Sequence, residues 1–184
     1  MARKYINNKQ MFKVMQDYIA RCRQEEIRAY NLGKEPYYPQ VPNYIGECLQ
    51  LIANNLAKKG NFAGYPFKEE MISDGIENAI LYIKNFDPQK SDNPFAYFTQ
   101  IIKFAFIRRI EKEKKQMYIK HKVFEDLQIL DAVEGSGSIP VELNDISQDF
   151  VKTYEKRAEE KKLLTQKRKF AKLKETSNSL TFEV

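Results

Sequence analysis

Phe95, Tyr97, Phe98, Phe104 and Phe106 fall within twelve residues, with Gln100, Lys103, Arg108 and Arg109 among them. That mixture suits unpaired nucleic acid. Flat rings stack on exposed bases, each stack contributing ~1–3 kcal/mol, while cations follow the phosphates. Helical spacing sorts the segment into two stripes. Phe95, Phe98, Ile102 and Phe106 are assigned inward, and Tyr97, Gln100, Ile101, Phe104 and Arg108 outward. A basic run of Lys103, Arg108, Arg109, Lys112, Lys114, Lys115, Lys120 and Lys122 follows, suited to a duplex backbone. Each phosphate so neutralised steepens the salt dependence of binding by a log–log slope of roughly 0.9.

Just upstream, Glu69, Glu70, Asp74 and Glu77 cluster within a few turns. Glu70 and Asp74 are four apart, and Asp74 and Glu77 three apart, so they share a side of a helix. Such a face can dock a protein, its charges steering the encounter.

Signals for catalysis are weak. The one histidine, His121, sits in the basic run without a carboxylate or cysteine motif around it, which is poor material for acid–base work. There is no zinc-ligand spacing and no phosphate-binding glycine loop. Glu113-Lys114-Lys115 contains an acid-x-Lys pattern seen in metal nucleases, but nuclease carboxylates converge from strands, and this region reads as helix. No catalytic residue, metal or cofactor is expected. Cys22 and Cys48 have no partner motif and are read as buried thiols of a cytosolic chain.

The 184 residues suffice for one domain and a tail. The net charge of +6 is unevenly spread. Residues 103–122 hold eight basic and two acidic side chains, 123–150 none and seven, and 151–174 ten and three. Blocks of alternating sign point to separate electrostatic tasks. No apolar run approaches the ~18 residues that span a bilayer, and Met1-Ala2-Arg3-Lys4 leads into a polar helical pattern rather than a signal peptide.

Nearly every segment has helical periodicity. A first helix is expected over 8–31, with Met11, Val14, Met15, Tyr18 and Ile19 on one face, closed by Gly33 and Pro36. A second runs from Pro42 to Gly60 on Ile45, Cys48, Leu49, Ile52 and Leu56. A third begins near Pro66, with Met71, Ile72, Ile76, Ala79, Ile80 and Ile83 as its apolar side. Asn93 offers a cap and Pro94 a first-turn residue for the aromatic helix. Glu134 to Pro140 reads as a break, 147–174 as a charged helix with a thin apolar stripe, and Glu175 to Ser179 as an irregular polar stretch.

The order from Glu69 to Lys122, through Asn85-Phe86-Asp87-Pro88 and Asn93-Pro94-Phe95-Ala96-Tyr97-Phe98-Thr99-Gln100, resembles region 2 of bacterial sigma factors. With Ile45 to Gly60 upstream and Ser179-Leu180-Thr181-Phe182 at the end, the wider chain resembles late-transcription sigma factors of T-even-type phages. The resemblance implies that Glu70, Ser73, Asp74, Ile76, Glu77 and Ile80 meet a basic coiled coil of the largest polymerase subunit. It assigns Tyr97, Gln100, Lys103, Phe104, Arg108, Lys112 and Lys115 to promoter DNA, and Leu180 and Phe182 to the replication sliding clamp. The chain departs from housekeeping members, which place two tryptophans at the positions of Gln100 and Ile101 and a glutamine at that of Phe104. Ser73 and Ile76 replace a usual glutamine and asparagine.

The fold expected is all-α: a compact helical sigma region 2-like domain with a charged helical or disordered C-terminal extension. Its parts are a polymerase-docking and promoter-opening domain at 1–122, an acidic linker at 123–150 and a basic extension at 151–184. The function implied is that of a late-gene sigma factor in the cytoplasm of an infected bacterium, without membrane contact. It would direct host core RNA polymerase to melt an AT-rich promoter element, coupled to the clamp and a separate coactivator. The alternative is a helical protein that binds single-stranded nucleic acid without specificity. It shares the aromatic helix but gives no reason for the acidic one.

Overall fold

A computed structural model describes residues 5–134 and 141–180, with side chains at 5–124, 150–171 and 173. Among these residues the protein is all-helical. Its helices are α1 (Asn8–Leu32), α2 (Asn43–Ala57), α3 (Gly60–Ala63), α4 (Lys68–Leu81), α5 (Pro94–Glu134) and α6 (Val141–Leu180), with a 3-10 turn at Ile83–Asn85. None of the described helices is long and apolar enough to cross a membrane. The chain divides into two compact units, Met1–Lys112 and Glu113–Val184.

In the first unit, local chemistry sets the helix ends. Asn7 starts α1, its side chain accepting the Gln10 N–H at 3.2 Å. Gly33 ends it with φ 62°, while the amides of Gly33 and Lys34 return to the carbonyls of Tyr30 and Ala29. Only glycine adopts that left-handed geometry without steric cost. Asn93 caps α5 as expected, taking the Ala96 N–H at 3.0 Å. Such a cap is worth ~1 kcal/mol.

The central element is α2, which packs on α1, α3 and α4. Ile45, Cys48, Leu49, Ile52, Ala53, Leu56 and Ala57 are buried along it. Each large side chain so buried contributes ~1.5–3 kcal/mol. The helix ends at Ala57, short of the Gly60 stop anticipated from sequence, and Gly60 instead begins α3, which delivers Phe62 edge-on to Phe106. The Phe86-Asp87-Pro88 turn is structural: Phe86 is buried, and the Asp87 carboxylate accepts the Gln89 N–H and pairs with Arg23. Tyr38 ties the loop after α1 to its surroundings, donating to Glu26 and lying 3.3 Å beneath the Lys84 ammonium.

Both thiols of the first unit are free and buried. Each lies one helical turn from a tyrosine of the same helix, Cys22 from Tyr18 and Cys48 from Tyr44. Burial pushes the Tyr18 hydroxyl up to about 12 and raises the Cys48 thiol above its ordinary value.

At Gly75 α4 lies against α5. A methyl group there would come 2.9 Å from the Phe106 ring and 3.0 Å from Ile102. Met71, Gly75 and Ala79 form the buried side of α4, with Ile72 and Ile76 half-buried on its flanks.

In the second unit, α5 residues after Lys112 pair with α6. Tyr118 stacks on Tyr154 with ring centres 4.7 Å apart, and His121 packs on Phe150. The Tyr118 hydroxyl donates to Glu155 at 2.9 Å, and Lys122 lies 3.4 Å from the same carboxylate. The segment anticipated as an acidic linker is helical to Glu134 and again from Val141, with 135–140 outside the described residues. Helix α6 also runs through the stretch anticipated as irregular, to Leu180.

Two outcomes follow. Gly75→Ala gains ~0.5–1 kcal/mol of helix propensity but overpacks the contact by ~1–3 kcal/mol. A net loss of about 1 kcal/mol is expected, read in denaturant unfolding; a variant as stable as the parent would show that Phe106 yields freely. In the second unit, the Tyr118 hydrogen bond first, and the Lys122 charge after it, hold Glu155 below the ordinary 4.5 against the opposing effect of desolvation. A depressed carboxylate stabilises the pairing above its unfolded value and loses that effect as pH falls through the folded one. Tyr118→Phe is therefore expected to move the Glu155 midpoint up towards 4.5, measured by carboxyl NMR titration.

Candidate nucleic-acid and protein-docking interface

With Met71, Gly75 and Ala79 buried, the 3.6-residue repeat leaves Glu70, Ser73, Glu77 and Ile80 on the outer side of α4, away from that buried side. Ile80 is 43 % exposed, and its neighbour Leu81, not among the residues expected on this face, is 66 % exposed. An apolar end beside acidic side chains makes an amphipathic strip. Glu69 and Glu70 also lie in the first turn, where negative charge favours the helix by ~0.3–1 kcal/mol. The two carboxylates thus stabilise α4 as well as charging its surface.

Asp74 belongs elsewhere. Its carboxylate meets the Arg109 guanidinium at 3.2 Å, with Arg109 largely covered. Asn78 donates to the Asp74 carbonyl at 2.7 Å and accepts from Arg108 at 2.7 Å. The four residues form a polar seam beside Gly75 that holds α4 to α5. Ile76 is half-buried and packs on the core. Of the residues expected on the docking face, Asp74 is therefore committed to an internal ion pair and Ile76 mainly to packing. The sequence spacing placed Asp74 beside Glu70 but carried no sign of Arg109, which lies thirty-five positions away.

On α5, Phe98, Ile102, Ala105 and Phe106 are buried. The inward assignment of Phe95 is corrected: it is 41 % exposed, and Pro94, one residue earlier, is buried instead. The outward assignment of Tyr97 is corrected too. Its ring packs on Phe86 and Phe98 with centres 5.3 Å and 5.1 Å away, and its hydroxyl donates to the Tyr82 carbonyl at 2.9 Å. Desolvation raises its pKa. The turn after α4 folds back over the side of α5 that periodicity alone leaves open, so Tyr97 serves the edge of the core.

Gln100, Lys103 and Phe104 are exposed, with Phe104 at 49 %. Ile101 is half-buried against the core. Arg108 is exposed yet spends a hydrogen bond on Asn78. Lys112 is exposed at the end of the first unit. The exposed strip of α5 there is thus Gln100, Lys103 and Phe104, extended by Lys112, with Phe104 its exposed ring. Lys115 is exposed in the second unit. Leu180 closes α6 with its side chain outside the described residues, and Phe182 lies outside them altogether.

The chain matches no protein-family model, and no curated protein matches it.

The polar seam yields its own test. The Asp74–Arg109 pair is partly covered, so a double-mutant cycle with Asp74→Ala and Arg109→Ala is expected to return a coupling of about 1 kcal/mol. Additive losses would mean that the pair does not join the helices.

Proposed function

We propose that the first unit is a transcription-initiation module of sigma type, binding host core RNA polymerase through the outer side of α4 and opened promoter DNA through α5. The observation that carries this reading is the pairing of two unlike surfaces on adjoining helices. Glu70, Ser73, Glu77 and Ile80 form an acidic strip with an apolar end on α4, while Gln100, Lys103 and Phe104 form a polar, cationic strip with one exposed ring on α5. A protein that only held single strands has use for the second strip and none for the first.

The division of labour follows from the chemistry. Glu70 and Glu77 attract a basic partner and raise its encounter rate, and Ile80 desolvates against it. Lys103 and Lys112 neutralise phosphates, and Phe104 gives an unstacked base a place to rest. With one such ring and no tryptophan in the chain, the module favours an AT-rich element, whose opening costs least. The reading further assigns Leu180 and Phe182 to a sliding clamp, with a separate coactivator completing late-gene transcription in an infected bacterium. There the two apolar side chains would anchor the clamp, and a second attachment on the same chain would raise effective concentration.

The test is binding of the full chain to purified bacterial core RNA polymerase. Glu70→Lys with Glu77→Lys is expected to weaken binding at least about tenfold, the equivalent of ~1.4 kcal/mol, with helicity unchanged. Phe104→Ala is expected to slow promoter opening and to be rescued on a pre-melted template. A parent chain that binds single strands but not core polymerase would replace this reading by the single-strand one.

A further inference from the structure

We infer that α6 carries a second protein-docking surface, a short coiled-coil seam that takes a partner helix with acidic flanks. Tyr154 stacks on Tyr118 of α5, and Val151 and Ala158 are covered on the same side of α6. About a third of a turn further round the helix, Leu163, Phe170 and Leu173 are open to solvent, Leu163 at 54 %. With the exposed Gln166 between them, their spacing is three, four, three. That repeat keeps the seam side chains of one helix facing another. Lys162 and Lys169 stand along one edge of the seam and Lys167 along the other, all exposed.

From Lys161 to Lys174 the chain holds seven basic residues and no acidic one. Glu159 and Glu160 come a turn earlier and mark where the seam begins. Glu159 offsets part of the Lys162 charge, so Lys167 and Lys169 dominate the edges. Charges at the edges of a seam set its partner. A second copy would bring lysine against lysine in either orientation, so self-pairing is repelled. A bilayer surface covers a wide apolar face, whereas this strip has the width of a coiled-coil seam and includes a glutamine. A nucleic-acid backbone would meet the lysines and leave the leucines in water. A helix with apolar side chains in the seam and glutamate or aspartate on both flanks covers the leucines and neutralises the lysines together. The strip from Lys162 to Leu173 is ~17 Å long at 1.5 Å per residue. An isolated helix of that length is marginal in water, so the fit is to a helix already held in a folded protein. The inference is separate from the polymerase reading, because it concerns the second unit and is measured without polymerase.

The experiment titrates the full chain with a designed helical hairpin whose outer face presents leucines in the seam positions and glutamates on both flanks. Its twin carries lysines on the flanks instead. The glutamate hairpin is expected to bind and the lysine hairpin not. Leu163→Ala with Phe170→Ala should raise the Kd at least about tenfold. Leu164 is the control, since it is 51 % exposed but stands off the seam, and Leu164→Ala should change the Kd by less than about twofold. Replacing Lys162, Lys167 and Lys169 by Glu should transfer binding to the lysine hairpin. Circular dichroism checks that α6 persists in every variant. No binding of the glutamate hairpin, equal losses from Leu163→Ala and Leu164→Ala, or an unchanged preference after charge reversal would each overturn the proposal. Tighter binding to anionic lipid vesicles, weakened alike by Leu163→Ala and Leu164→Ala, would replace it by a membrane surface. A dimer in sedimentation that Leu163→Ala dissociates would replace it by self-pairing.

Discussion

The closeness of α4 and α5 at Gly75 governs the first unit. A methyl there would sit 2.9 Å from Phe106, inside any ordinary carbon–carbon contact. Interiors pack as densely as organic crystals, so Phe106 and Ile102 hold one place, and α4 lies directly on them. Phe62 of α3 closes on the same ring. Beside this apolar contact, Asp74, Asn78, Arg108 and Arg109 fasten the helices by directional bonds. Packing sets how near the helices come, and the polar seam sets how they are turned. The outer strips of both helices inherit their positions from that joint.

Charge is therefore sorted by task. Asp74 and Arg109 neutralise one another at the joint, while Glu70, Glu77 and Lys103 stay at the surface. An acid drawn into a partly covered ion pair loses much of its reach into solvent. The acidic surface left open to solvent is accordingly narrower than the run of acidic letters from Glu69 to Glu77 suggests.

Most of the fold was legible because its signals are local. Periodicity, the Asn93 cap, Pro94 and the Gly33 stop act within a turn or two of chain, and α1, α2 and the start of α5 lie close to where they were expected. The buried stripe of α2 was likewise readable, since one face of a regular helix must be apolar. What escaped the sequence depends on distant partners. Tyr97 is covered by a turn that reaches back from the end of α4, and Asp74 is claimed by a residue on another helix. Phe95 had the spacing of a core residue, but at a helix start the neighbouring Pro94 can take the buried place. Of the candidate site, the location on α4 and α5 was readable, and the membership of each strip was not.

The two thiols carry a consequence of their own. Cys22 and Cys48 lie within the same core, and burial leaves Cys48 further from its thiolate form than a free cysteine. Only a thiolate that a reagent can reach reacts. In the closed protein both thiols are out of reach, so modification must wait for the helices to part. The rate at which a small thiol reagent labels the native chain is then a clock for the opening of the first unit. It needs no denaturant, and slowing of that clock by a bound partner would report how firmly the partner holds the helices together.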